Sequence, residues 1–456
     1  MKKNADLIIK NATLWRKEGR GGVMVDASIA VADGSILKVG SRKDLSDVYT
    51  APKTWDAGGK LLLPGFINTH CHLFQVFMRG LGKDLPFMDW MNQSVRLLMP
   101  LLDDEAVYLA AMVGCMEAIR TGTTTLVDFM YANVKPCLAD AVLRAFDDCG
   151  IRGVLARGLT DIDKMPGTDR LPVTWQPVPE TLADVDRLRA MYARHPRITF
   201  ALAPSVIWAM TSQGLTEGAA YARTNDMVYT MHLLETADDD QFSLERYGKR
   251  TTTLLEELGI MAPNFLAVHA VRLEPEDFER FERYQVKVSH NPVANMILGS
   301  GAAPVRELNR RGIPIGLGTD GAASNDSQSL IEVMKSAALL QKVSLRDPAA
   351  LSADQVFAMA TKEGAMTIGM ADQIGTLQPG KRADILVVDL DRPNTTPCFD
   401  PIASLVYSGD ECNIHSVFIE GDLVLEAGAF TRFDEAQLIA RANQKAQALY
   451  RDAQEK

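Results

Sequence analysis

The sequence predicts an α/β protein, a (β/α)8 TIM-like barrel with a small β-sandwich domain formed from both termini. From about residue 61 to 371, short apolar strands alternate with helix-length amphipathic segments, and eight such strands can be counted. Both ends of the chain carry short strands joined by tight turns. We therefore expect a β-sandwich domain from 1–60 plus 372–430, a barrel from 61–371, and a C-terminal helix within 431–456.

The terminal domain is predicted from strands that lie at opposite ends of the chain. Segments 6–10 and 27–31 are strand-like, and Ala32-Asp33-Gly34-Ser35 is typical of a hairpin connection. Segments 383–389 and 416–422 repeat this pattern near the other end. Because both ends are β-rich around a long middle, we expect them to meet in one domain.

The barrel is predicted from the order of its strands. The candidates are 61–67, 124–128, 153–157, 198–203, 228–232, 266–269, 286–290 and 315–320. Amphipathic stretches between them, such as 104–120 and 274–284, are long enough to be the covering helices, and 433–452 predicts a final surface helix.

Composition excludes several classes of partner. The 456 residues are 47% hydrophobic, carry a formal net charge of −10, and contain no basic block of the kind that follows a phosphate backbone, so we expect no nucleic-acid partner. No signal peptide and no apolar run of about 18–20 residues are evident, which predicts a cytoplasmic protein without a membrane partner. Six cysteines without a C-x-x-C pair are expected to be reduced thiols.

A pair of histidines follows the first barrel strand. His70 and His72 are two residues apart, so strand geometry points both imidazoles the same way. Such a pair is half of a metal site, although alone it is a weak signal. The chain has only seven histidines, which makes the positions of the others informative.

Further polar residues end the later strands. In barrels of this kind the active site lies at the carboxyl ends of the strands. Besides His70 and His72, those ends hold His232, His269, His290 and Asp320. Three imidazoles and one carboxylate suit one catalytic divalent metal, with zinc as the first candidate and iron as the second.

Glu235 lies three residues beyond His232 and could carry a proton between an activated water and a leaving group. Each residue also has a plain alternative: a strand-end histidine is more often structural, Asp320 could be a turn residue, and Glu235 a solvated helix-start acid. Because five of the seven histidines fall at predicted strand ends with a matching aspartate, we favour the joint functional interpretation.

These residues resemble the amidohydrolase superfamily, in the branch that contains methylthioadenosine/S-adenosylhomocysteine deaminases and triazine hydrolases. The matching stretches are 64–72 (PGFINTHCH), 232–236 (HLLET), 268–269 (VH), 289–292 (SHNP), 318–325 (GTDGAASN) and 375–384 (GTLQPGKRAD). The resemblance covers essentially the whole chain, and the motifs in combination are highly specific.

The resemblance implies roles for the strand-end residues. His70, His72, His232 and Asp320 would be the metal ligands. His269 would orient or polarise the water, Glu235 would protonate a ring nitrogen of the substrate, and Asp320 would also take a proton from the water. The implied reaction is attack of a metal-bound hydroxide on an sp² carbon of a nitrogen heterocycle, with loss of ammonia or another leaving group.

Several positions depart from the adenosine-type deaminases of this branch. Counted from Asp89-Trp90, the glutamate that binds ribose hydroxyls in those relatives is Met99 here, and methionine cannot bind a diol in that way. Ser205 stands where they have a histidine. Arg157 and Arg170 match their arginines, with one residue inserted between the two, and could bind substrate or be structural.

Other positions are candidates for substrate contact. Gln75 resembles a glutamine of the oxopurine, pterin and hydroxyatrazine aminohydrolases, and an amide suits a lactam edge. Trp90 and Met99 could line an apolar slot for a flat ring, and His290 and Asn295 could contact the substrate. Core packing, or support of neighbouring residues, is the alternative for each.

We therefore expect a metal-dependent aminohydrolase acting on an oxopurine, pterin, triazine or adenine-type ring. The alternatives are a methylthioadenosine, S-adenosylhomocysteine or adenosine deaminase, a triazine chlorohydrolase or N-dealkylating hydrolase, and a non-catalytic metal-binding barrel. The expected partner is a small heterocyclic substrate, and the resemblance implies a homo-oligomer.

Overall fold

A computed structural model describes residues 2–15, 23–162 and 173–455. The strands are β1 (Lys3–Asn4), β2 (Leu7–Trp15), β3 (Val23–Ala32), β4 (Ser35–Ser41), β5 (Tyr49–Thr50), β6 (Lys53–Asp56), β7 (Leu61–Pro64), β8 (Phe66–His72), β9 (Thr123–Met130), β10 (Arg152–Leu159), β11 (Ile198–Pro204), β12 (Val228–Leu233), β13 (Phe265–His269), β14 (Lys287–His290), β15 (Ile315–Leu317), β16 (Asp320–Gly321), β17 (Ile385–Val388), β18 (Ile414–Ile419), β19 (Asp422–Glu426) and β20 (Ala429–Phe430).

The helices are α1 (Arg42–Val48), α2 (Phe87–Gln93), α3 (Val95–Leu98), α4 (Asp104–Arg120), α5 (Leu138–Cys149), α6 (Val178–Met191), α7 (Ser212–Thr224), α8 (Ala237–Tyr247), α9 (Thr251–Glu257), α10 (Pro275–Tyr284), α11 (Pro292–Ile297), α12 (Val305–Arg310), α13 (Leu330–Leu345), α14 (Ala353–Met359), α15 (Lys362–Thr367), α16 (Pro401–Ser408) and α17 (Glu435–Gln454). Short 3₁₀ helices occupy Leu73–Met78, Met99–Leu101, Ile207–Ala209 and Glu411–Asn413.

The predicted barrel is confirmed. Strands β8 to β15 are parallel and follow one another in chain order, and pairing of Leu317 with Asn68 closes β15 onto β8. Its interior is filled by small and branched side chains such as Val127, Ala156 and Ala201, which pack with residues of the α15 region. This packing leaves the carboxyl ends of the strands as the place where polar groups can converge.

The opening barrel strand differs from the prediction. Segment 61–67 is divided at Gly65: β7 pairs with β2 and β17 in the second sheet, and the barrel strand β8 begins at Phe66. A Cβ on Gly65 would lie 2.0 Å from Oγ1 of Thr124, so the two sheets approach too closely there for any side chain. Sequence periodicity could not show this, because a continuous apolar run is compatible with one strand or two.

The second sheet is mixed and consists of strands from both termini, consistent with the predicted small β-sandwich. Its order is β20-β19-β18-β17-β7-β2-β3-β4, with β6 paired to β2. The predicted hairpin at Asp33-Gly34 is present, and both residues have positive φ (48° and 69°), as a type I′ turn requires. The terminal segments also contain α1 and α16, which were not predicted from sequence.

A buried ion pair joins the two sheets. Arg152 at the start of β10 donates to both carboxylate oxygens of Asp384, at 2.9 and 3.1 Å, and Asp384 also accepts from the backbone of Glu420. Helix α17 lies against α4 through the Lys445–Asp103 ion pair at 2.6 Å. Together these contacts hold the terminal elements against the barrel.

Two further sequence expectations can be compared with the structure. In the described part of the chain, no helix is both long and apolar enough to cross a membrane. All six cysteines are unpaired thiols.

Candidate active site

All four predicted metal ligands meet at the carboxyl ends of the barrel strands. His70 and His72 extend from β8, His232 from β12 and Asp320 from β16, and one ligand atom from each lies within 4.8 Å of the others. Strands β16 and β8 pair in the register that sets Asp320 against Cys71, which brings the carboxylate next to both histidines.

The tautomers of His72 and His232 leave two lone pairs facing each other. Nδ1 of His72 lies 2.8 Å from the carbonyl oxygen of Phe129, and Nδ1 of His232 lies 2.6 Å from that of Ser205. A carbonyl can only accept, so both Nδ1 atoms carry a hydrogen, and in the neutral form of each ring Nε2 is bare. These bare nitrogens are 3.2 Å apart. No hydrogen bond can join them, whereas a shared cation would satisfy both.

His70 and Asp320 complete this donor set. Nε2 of His70 and Nε2 of His72 lie 3.3 and 3.2 Å from the same carboxylate oxygen of Asp320, and neither ring nitrogen of His70 has a hydrogen-bond partner among the described residues. Burial lowers the pKa of His70 to about 3 and that of His232 well below 6.5, so both rings are neutral. Neutral imidazoles with one carboxylate are the donors of a catalytic zinc site.

Glu235 and His269 stand beside the four candidate ligands. Nδ1 of His269 lies 2.9 Å from the side-chain oxygen of Asn295, and Nε2 of the same ring lies 3.6 Å from the Glu235 carboxyl. Ser300 donates to the other oxygen of Glu235 at 3.4 Å. Burial raises the pKa of Glu235, which favours a protonated carboxyl that can donate a proton.

The backbone at these strand ends adopts left-handed conformations. The φ angles are 52° at Leu234, 72° at His269, 49° at Ala270 and 61° at Asp320. Each costs roughly 1–3 kcal/mol in a residue other than glycine and is expected where surrounding structure enforces it, as at functional sites. Here the sharp turns direct His269 and Asp320 toward the same point.

A cavity of about 330 Å³ opens over this cluster. His72, His232, Glu235, His269 and Asp320 form its polar end. The rest of its wall is mainly apolar and aromatic, with contributions from Phe87, Trp90, Met91, Val95, Met99, Tyr131, Ile162, Val206, Trp208 and Leu298. Its size and lining suit a small flat ring.

Four of the predicted substrate residues line the cavity: Gln75, Trp90, Met99 and Ser205. The amide nitrogen of Gln75 donates to the Tyr131 hydroxyl at 3.0 Å. The indole nitrogen of Trp90 donates to the carbonyl oxygen of Ala323, which fixes the ring against the loop after Asp320.

Three others lie outside the cavity wall. Arg157 is ion-paired with Asp184 at 2.9 Å and donates to Gln176, so its charge is already neutralised. His290 is buried with a pKa of about 3 because of desolvation. Asn295 contacts His269 and does not line the cavity. Arg170 lies outside the described residues.

Three wall residues with titratable side chains were missed from sequence. Tyr131 follows β9 directly. The sequence predicted that this strand ends at residue 128, whereas it ends at Met130. Asp239 lies in the acidic run that opens α8, yet it is buried and accepts from the backbone of Glu235. Arg96 on α3 also faces the cavity. A search for polar residues after every strand end could have found Tyr131, whereas Arg96 and Asp239 carry no such signal.

Comparison with known proteins gives a consistent result. Residues 61–424 match the model of the amidohydrolase family. The chain is 33% identical over 442 residues to the 5-methylthioadenosine/S-adenosylhomocysteine deaminase of Nitratidesulfovibrio vulgaris (strain Miyazaki F), with 97% of each chain covered. It is 34% identical over 454 residues to the 5'-deoxyadenosine deaminase of Methanosarcina acetivorans, with 98% of each covered.

Solved structures superpose on nearly the whole length of this chain. A zinc-bound adenosine deaminase from Xanthomonas campestris superposes with a TM-score of 0.89 at 27% identity, covering 98% of this chain and 99% of that one. An atrazine chlorohydrolase variant from Arthrobacter aurescens TC1, complexed with zinc and atraton, gives 0.88 at 25% identity and covers 97% and 100%.

Proposed function

Because the chain belongs to the amidohydrolase family, we propose that it hydrolyses an exocyclic carbon–nitrogen bond of a nitrogen heterocycle and releases ammonia. The observation that carries this proposal is the convergence of the imidazole nitrogens of His70, His72 and His232 with the Asp320 carboxylate beneath an apolar cavity. Such a set of imidazole and carboxylate donors fits a divalent cation.

The proposed ligands are His70, His72, His232 and Asp320. A divalent metal held there would supply Lewis-acid activation of water at the polar end of the cavity. Zinc is the first candidate, since the donors are borderline-soft and the adenosine deaminase and atrazine chlorohydrolase structures contain zinc. Iron is the second.

Side chains of the protein would carry out the proton transfers. Asp320, whose second oxygen accepts from Ser324 at 2.9 Å, is placed to accept a proton from the attacking water. Glu235 would deliver a proton to a ring nitrogen of the heterocycle, because its buried carboxyl is held in the cavity wall with a raised pKa. His269, positioned by Asn295, would accept a hydrogen bond from Glu235 or from the water.

The test is ammonia release from a panel of purines, pterins, pyrimidines and triazines by protein loaded with one equivalent of zinc or iron. We expect turnover of at least one amino-substituted member and loss of that turnover on chelation, with recovery when metal is restored. Silence across the whole panel by protein that has bound metal would overturn the proposal. Chloride and alkylamine release, measured in parallel, test the triazine alternative.

A second candidate is deamination of a 5'-modified adenosine, as the names of the relatives at 33% and 34% identity suggest. Against it, Met99 lines the cavity where the adenosine-type relatives are expected to have a ribose-binding glutamate. If wild-type protein prefers methylthioadenosine to free adenine and oxopurines, the inference drawn from Met99 is wrong. In that case the wild-type protein already turns over nucleosides with methionine at position 99, and the Met99→Glu substitution is not required for this activity.

The homo-oligomeric state and the cytoplasmic location remain predictions from sequence. Size-exclusion chromatography with light scattering on the metal-loaded chain would decide the first. Localisation of the tagged chain in the source cell would decide the second.

A further inference from the structure

Arg96 is a charged side chain in an otherwise apolar part of the cavity wall. It lies on α3, is half-buried, and has Phe87, Met91 and Val95 as fellow wall residues. One guanidinium nitrogen donates to the side-chain oxygen of Asn92 at 3.0 Å. Asn92 is neutral, so this contact positions the guanidinium without neutralising it.

Among the described residues, no carboxylate lies within ion-pairing distance of the Arg96 guanidinium, and burial lowers the pKa of this group. The buried arginines of the barrel strands differ in this respect, since Arg152 is paired with Asp384 and Arg157 with Asp184. An unpaired, half-buried guanidinium costs desolvation energy that an anionic ligand would offset.

Tyr131 supplies a second donor on the same wall. It lines the same cavity as Arg96, and burial raises the pKa of its phenol, so the hydroxyl stays neutral. The hydroxyl oxygen accepts from Gln75, while its own hydrogen has no acceptor among the described residues. A cation and a free hydroxyl hydrogen therefore face the same cavity.

We propose that Arg96 and Tyr131 form an oxyanion-binding subsite that selects heterocyclic substrates carrying a carboxylate. This inference rests on the proposed function and names its substrate class. Arg96 would contribute most of the binding as a charge-assisted donor, and Tyr131 a weaker neutral hydrogen bond. Neither residue takes part in proton transfer, so both act on substrate affinity.

The test compares binding of matched ligands to metal-loaded Glu235→Gln protein, which should hold substrate without turning it over. The first pair is 4,6-diamino-1,3,5-triazine-2-carboxylate and 2,4-diamino-6-methyl-1,3,5-triazine, which differ at one ring substituent. The second is S-adenosylhomocysteine and methylthioadenosine, where the carboxylate lies on a tail. The two pairs distinguish a ring carboxylate from a tail carboxylate as the source of the oxyanion.

We expect Arg96→Gln to raise Kd for a carboxylate ligand by about tenfold to a hundredfold and to leave its neutral partner within about twofold. Tyr131→Phe should raise the same Kd by about two- to tenfold, and Arg96→Lys should recover part of the loss. Arg306→Gln is the matched control, because it removes an exposed guanidinium that does not line the cavity. Repeating the titrations on metal-depleted protein excludes a carboxylate that binds only through the metal.

Failure of this inference and failure of the proposed function are distinguishable. If neither carboxylate binds more tightly than its neutral partner, or if Arg96→Gln weakens both members of a pair equally, the subsite is refuted even when ammonia release is observed. If carboxylate selectivity depends on Arg96 but wild-type protein releases no ammonia from any heterocycle, the subsite stands and the deaminase proposal falls.

Discussion

Substitution of Glu235 by glutamine tests the proposed proton transfer directly. The amide has the size of the carboxyl and can keep the contacts with Ser300 and His269, at 3.4 and 3.6 Å, but it cannot release and regain a proton. Loss of a general acid–base group costs about 10²–10⁴-fold in rate. At about 1.4 kcal/mol per tenfold, the activation free energy rises by about 3–5 kcal/mol.

The assay is steady-state ammonia release with the substrate identified from the panel, together with metal content and thermal stability. We expect kcat to fall by that factor while metal content stays the same. The fold should be retained, because a neutral amide is buried at less cost than a carboxylate. Ser300→Ala, which removes only the 3.4 Å contact, should cost about tenfold or less.

The pH dependence adds a second readout. Burial raises the pKa of Glu235 above 4.5, so any limb of the rate profile that reports this group lies at higher pH than for an exposed glutamate. That limb should be absent in Glu235→Gln. A variant that turns over within tenfold of wild type, with an unchanged profile, would refute the assignment of Glu235 to proton transfer.

Three other outcomes are expected. His232→Ala should lower bound metal well below one equivalent by elemental analysis, since it removes one of four converging donors; full occupancy would exclude His232 as a ligand. Burial lowers the pKa of His70 and His290 from 6.5 to about 3, so between these two pH values the unfolded chain binds more protons than the folded chain. The Tm of the metal-free protein should therefore decrease as the pH falls from 6.5 toward 3. A Tm that stays constant between pH 7 and 5 would contradict this. Asp384→Ala should lower the free energy of unfolding, measured by chemical denaturation, by about 3–5 kcal/mol, because it leaves Arg152 buried and unpaired. A decrease of less than 1 kcal/mol would show that this ion pair does not stabilise the contact between the two sheets.

Sequence pattern predicted the barrel and much of its rim because both depend on local periodicity. Amphipathic and apolar segments predicted helix α4 with its observed bounds, Asp104–Arg120, and seven of the eight barrel strands within three residues; the first barrel strand is the exception, since it begins at Phe66. His70 and His72 face one way because strand side chains alternate, and strand order places His232, His269 and Asp320 at the same rim.

Only the tertiary structure decided which polar groups are free to act. Arg157 and Arg96 are the same residue type, yet Asp184 neutralises the first, whereas the second lines the cavity and has no carboxylate partner in the part of the chain that the structure describes. Two other features were also decided only by the tertiary structure: β7 pairs outside the barrel, and Tyr131 lines the cavity wall. A partner contributed from a distant part of the chain leaves no local periodic signal, so burial and charge compensation appear only when the chain has folded.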